Sequence, residues 1–174
     1  AAMVGTCSFQ PKGPVQGVMP SYDAAAALQA DADTLKIPVR LPKLPDGWQA
    51  NSGTRGSIDG GRTGAKGERE RAVTTRVGYI APSKMYVSLT QSNADETALV
   101  RSIHNDVYPS GAQDVDGVNW VVYQGGEGTE PVWTARLDSA QGPAQVAITG
   151  AGGPEDFRTL AASTQSQQPL VPAG

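Results

Sequence analysis

His104 is the only imidazole in this chain of 174 residues, and Cys7 is the only thiol. Nucleophilic catalysis needs a base beside the nucleophile. His104 falls near the end of a helix expected between residues 92 and 104, where the helix dipole accounts for it, and no Gly-x-Ser-x-Gly elbow accompanies it. Cys7 stands in an N-terminal arm away from any expected pocket. One Cys and one His cannot assemble a four-ligand zinc site, and one Cys cannot form an internal disulfide. The carboxylates come as two adjacent pairs, Asp95 with Glu96 and Glu155 with Asp156. Each opens a helix, so capping and the dipole explain both. These residues point to no catalytic set, no metal site and no cofactor.

Two glycine-rich stretches invite a phosphate-binding reading. Gly61 to Gly67 contains Lys66 but lacks the Gly-Lys-Ser/Thr order of a P-loop. Gly150-Ala151-Gly152-Gly153 follows a strand and precedes a helix, where an anion could sit. A dinucleotide fold also needs a parallel strand after that helix and an acid about 20 residues on. Only a short Ser/Gln/Pro-rich stretch remains, so turn geometry explains the glycines.

A basic group stands out: Arg55, Arg62, Lys66, Arg69, Arg71 and Arg76, on a protein whose net charge is −3. Such a hairpin could touch anionic lipid head groups or an acidic partner; a solvated loop is the simpler reading. The acidic balance argues against a nucleic-acid binder, and no aromatics interleave the basic residues. Trp48, Trp120 and Trp133 occupy strand positions, where they pack a core or line a ligand surface.

The elements that must position these residues are mostly strands. Ala24 and its neighbours from Tyr22 to Leu35 form an Ala-rich helix capped by Ser21 or Asp23. Ile37 to Pro45, with three prolines, is an extended crossing rather than an inner strand. Strands are expected over 48–57, 72–80 and 85–91, with 59–70 a flexible Gly-rich loop. A helix follows to about His104, capped by Ser92 or Asn93. Asp116-Gly117 between apolar runs signals a hairpin. Further strands lie over 132–137 and 144–149, and Pro154 opens a helix to about Ser163. The result is an α+β domain, mostly antiparallel, with two or three short helices packed on one face. It spans 22–163. Residues 1–21 read as the end of an N-terminal anchor and a Pro/Gly-rich linker, and 164–174 as a flexible tail.

No run of about 18 apolar residues is present. Ala1 to Phe9 carry no charge and read as the outer end of an apolar anchor. Cys7 marks the anchor junction; Val4-Gly5-Thr6-Cys7 also loosely resembles a lipidation motif, with Thr6 a poor match.

Five segments form an ordered series: Leu44-Pro45-Asp46-Gly47-Trp48, Val77 to Ser83, Tyr86 to Asn93, Val115 to Trp120, and Leu160 to Ser163. Over about residues 35–163 the series resembles the actinobacterial envelope family catalogued as domain of unknown function 4245, with residues 59–71 as an insertion. The resemblance implies a single-pass protein of the cytoplasmic membrane with its domain on the extracytoplasmic side. It carries no catalytic residues. The expected function is a non-catalytic accessory or binding module of the cell envelope, acting through a membrane-protein partner. The alternative is a lipid or small-ligand carrier, or a hydrolase, with a cleft lined by the three tryptophans.

Overall fold

The computed structural model describes residues 22–173, so the expected anchor, the linker and Cys7 lie outside the described residues. The elements in chain order are α1 (Ala24–Thr34), β1 (Gln49–Thr63), β2 (Arg69–Ile80), β3 (Tyr86–Ser92), α2 (Glu96–Ile103), β4 (Tyr108–Val115), β5 (Val118–Gln124), β6 (Val132–Leu137), β7 (Ala144–Gly150) and α3 (Pro154–Gln165). The seven strands form one sheet in the order β1-β2-β3-β7-β6-β5-β4. Every pairing is antiparallel, which makes the protein an α+β domain.

The hairpins follow local chemistry. Asp116 and Gly117 both adopt positive φ, 48° and 90°, the conformation a two-residue turn needs to match strand twist. α1 starts where the Asp23 carboxylate accepts the Ala26 N–H at 3.0 Å. α3 starts at Pro154, whose missing N–H costs nothing in a first turn, and Asp156 accepts the Gly153 N–H at 3.3 Å. α2 is preceded by Asp95, not by Ser92 or Asn93. The Asn93 side chain instead accepts the Val73 N–H, and the Ser92 hydroxyl the Ala94 N–H.

β7 is buried at every residue, because both faces of the sheet are covered. On one face α1 and α3 supply Leu28, Phe157 and Leu160 against Val77, Leu89, Trp133, Val146 and Ile148. On the other, α2 supplies Leu99 and Val100 against Ala72, Tyr123, Val132 and Ala147. The helices do not share one face, which corrects the sequence expectation that all of them pack on one side; strand alternation puts Ala147 opposite Val146 and Ile148, and α2 follows Ala147. Burying a side chain such as Leu99 contributes about 2 kcal/mol. The α2 face also buries hydroxyls, among them two with carbonyl partners. Thr134 Oγ1 donates to the Val146 carbonyl at 2.7 Å and Thr149 Oγ1 to the Pro131 carbonyl at 2.9 Å.

Two other expectations are corrected. Residues 59–70 are not a loop throughout: β1 runs to Thr63 and β2 begins at Arg69. Cross-strand ion pairs hold this polar, Gly-rich tip as a ladder. The C-terminal stretch is not free either. The Leu170 N–H donates to the Val39 carbonyl at 2.7 Å, and the Ala173 N–H donates to Asp33 at 2.7 Å. Ile37 and Val39, in the proline-containing crossing, are buried under this tail.

Candidate functional site

Among the described residues β1 is the longest strand and has no strand on its outer side. Its distal half meets α2. There the Asp95 N–H donates to the Gly60 carbonyl at 3.0 Å, and the Gly61 site leaves room only for the Ala98 and Asp95 side chains beside it. Between the two elements lies a cleft of about 670 Å³, bordered by Ser57, Ile58, Arg69, Arg71, Ala98 and Arg101 among others. That size lies within the range of small-ligand sites.

The charges around the cleft are unevenly matched. Arg69 grips Asp59 with two hydrogen bonds, 2.9 and 3.1 Å. This bond, with the Gly61 N–H at 2.8 Å, holds the Asp59 carboxyl below its usual range. Arg62 reaches Glu70 at 3.1 Å and Asp95 at 2.7 Å, which raises its already high pKa. Both carboxylates of the cleft are thus taken. Arg71 hydrogen-bonds no carboxylate, though its charge also helps lower Asp59: its Nε and one terminal nitrogen bond the Ser57 hydroxyl and carbonyl at 3.3 and 2.9 Å. Arg101 is exposed on the last turn of α2.

The six basic residues singled out from sequence are therefore divided. Arg69 and Arg71 line the cleft and Arg62 braces its rim. Lys66 is exposed in the tip turn. Arg55 pairs with the buried Asp31 of α1, which also accepts from Thr75. Arg76 borders a separate groove with Ser52, Gly53 and Tyr86. Sequence reasoning missed Arg101, which lies far along the chain from the others and reaches them only through the packing of α2 on β1.

The tryptophans serve the core. Trp120 is fully buried, and its indole N–H donates to Gln165 Oε1 at 2.8 Å. Trp133 packs on Phe157 with ring centroids 5.4 Å apart. Trp48 meets Tyr79 edge-on at 6.4 Å. Trp133 also borders a groove with Val122, Pro131 and Phe157. His104 caps α2, its N–H donating to the Val100 carbonyl at 2.9 Å, and Glu96 accepts from the Tyr123 hydroxyl at 2.6 Å. Asp156 accepts from Ser83 at 2.8 Å as well as from Gly153. At Gly150, with φ +151°, a Cβ would stand 2.3 Å from the Tyr86 carbonyl oxygen. Gly150, the last residue of β7, is thus set by close backbone approach, whereas at Gly153 a Cβ would meet nothing within 4 Å. Among the described residues no three His, Cys, Asp or Glu side chains gather as a metal would need, and no helix is long and apolar enough to cross a membrane.

No curated protein and no solved structure matches the chain. A family model does, over residues 1–164. The ordered segments and the match agree: the chain belongs to the family described as protein of unknown function, DUF4245.

Proposed function

We propose that this protein is a non-catalytic binding module of the bacterial cell envelope, held at the cytoplasmic membrane by an N-terminal segment, with its domain on the outer side, and acting through an envelope membrane-protein partner. One observation supports the binding role above the others. The cleft between β1 and α2 joins an edge strand of the described sheet, the apolar side chains Ile58 and Ala98, and two arginines, Arg71 and Arg101, that hydrogen-bond no carboxylate. Exposed edges and concave surfaces of this kind accept extended segments and ligands. The membrane and envelope parts of the reading rest on the motif series and on the uncharged start of the chain.

Photo-crosslinking in intact cells tests it. A benzophenone side chain at Ala98 should capture a discrete envelope protein, while the same probe at Tyr108, on the opposite edge strand, should not. Equal capture from both positions, or none from Ala98, would overturn the reading. Protease treatment of spheroplasts checks the side of the membrane: a protected domain would exclude the outer location.

A further inference from the structure

The cleft has a more specific chemistry than a general docking groove. Its two carboxylates, Asp59 and Asp95, are already bound by Arg69 and Arg62. Two guanidinium groups hydrogen-bond no carboxylate, Arg71 from β2, whose charge neighbour Asp59 is gripped by Arg69, and Arg101 from α2. Arg71 is oriented by Ser57, which accepts at both its hydroxyl and its carbonyl. That leaves the second terminal nitrogen of Arg71 and the proton of the Ser57 hydroxyl for another acceptor. A carboxylate would neutralise only one of the two cations. A phosphate monoester carries a charge of about −1.5 to −2 at neutral pH and three terminal oxygens. It matches both the charge and the number of donors, and guanidinium forks bind phosphate oxygens well.

We propose that the β1–α2 cleft is a binding site for a phosphate monoester, held between Arg71 and Arg101, with Ser57 as a further donor and the body of the ligand lying over Ile58 and Ala98. The inference rests on the cleft being the working surface, as proposed above, and adds the group recognised there. The same group occurs on a soluble small molecule or at the head of a lipid such as phosphatidic acid.

The full chain is titrated with glycerol 3-phosphate while the Nε–H signals of the arginines are followed by nitrogen-15 NMR. Saturable shifts of the Arg71 and Arg101 signals are expected, beyond those caused by chloride at equal ionic strength. Arg101→Gln should weaken binding about tenfold or more. Arg101 is exposed, so this variant should keep its thermal midpoint; Arg71→Gln is the second test, and Arg55→Gln should have no effect. Co-sedimentation with phosphatidylcholine vesicles containing phosphatidic acid forms the other arm. Binding in that arm alone assigns the group to a lipid headgroup, and binding to glycerol 3-phosphate assigns it to a soluble ligand. Equal binding to phosphatidylglycerol, a diester, would overturn the proposal in favour of general charge attraction. No saturable shift and no vesicle binding would also overturn it, as would full affinity in Arg101→Gln. A positive crosslink at Ala98 with no phosphate binding refutes this inference alone; phosphate binding with no crosslink refutes the partner reading alone.

Discussion

Gln91 and Arg40 exchange two hydrogen bonds, as neighbouring strands would. The Arg40 backbone N–H donates to Gln91 Oε1 at 2.7 Å, and Gln91 Nε2 donates to the Arg40 carbonyl at 2.8 Å. Segment 37–45 contains Pro38, Pro42 and Pro45 and cannot lie in a ladder. One buried side chain of β3 satisfies its backbone where it crosses the sheet face. Gln91→Ala orphans a buried N–H and a buried carbonyl together, so it should cost about 2–3 kcal/mol. A lowered urea midpoint with an unchanged denaturant slope is the expected readout.

The Arg40 side chain is buried and bonds only carbonyls, Gln167 at 2.9 Å and Asp138 at 3.1 Å. Burial lowers its pKa, and the nearby Asp138 charge partly offsets this. Removing residues 167–174 takes away one of these acceptors and leaves the cation underserved. Truncation should therefore cost about 2 kcal/mol or more in the wild-type background. It should cost less when Arg40 is Met, which removes the charge and keeps the bulk. A double-mutant cycle by chemical denaturation reads the coupling.

Gly150→Ala should be severe. The new methyl would meet the Tyr86 carbonyl at 2.3 Å and the Val87 Cα at 2.7 Å, in backbone rather than in a movable side chain. A loss of about 3 kcal/mol or more is expected, visible as a large drop in thermal midpoint. Gly111→Ala, where nothing stands within 4 Å, should be mild.

Alkaline pH should weaken the fold through Tyr123. Burial, then its hydrogen bond to Glu96, pushes its phenol from 10 up to about 12. In the unfolded chain the same phenol ionises near its ordinary value. Its contribution is therefore intact below pH 10 and is withdrawn as pH rises from 10 towards 12. Burial pushes Tyr79 upward as well, so both tyrosines oppose ionisation. Tyr123→Phe should flatten the fall of stability with pH without abolishing it, as measured by urea denaturation at a series of alkaline pH values.

What was legible in the sequence was local. Asp116-Gly117, the alternation in β2 and β3, and Pro154 each act through their own backbone, and the structure bears them out. From sequence the long tip of β1 and β2 looks like a loop, because its glycines and charges have little strand propensity; the Arg69–Asp59 and Arg62–Glu70 pairs that hold it form only once the register is set. The face taken by α2 was equally hidden. A stripe of Leu99, Val100 and Ile103 says that a helix buries one side, not which side of a sheet receives it. Arg101 belongs to the same lesson, since its neighbours in the cleft come from strands about 30–40 residues earlier. The tail's apolar residues are few, Pro169, Leu170, Val171 and Pro172 beside polar Ser and Gln, too little to distinguish it from free chain.

The docked tail also fixes where mechanical load would enter. The Tyr22 N–H is bonded to the Ala50 carbonyl just before α1 begins, and Ala173 is tied to Asp33 near the end of the same helix. An 11-residue helix is about 16 Å long, so the first and last described residues lie against one short rod. Tension applied between Tyr22 and Ala173 would load α1, the tail and, through the Tyr22–Ala50 bond, the edge strand β1 before the rest of the sheet.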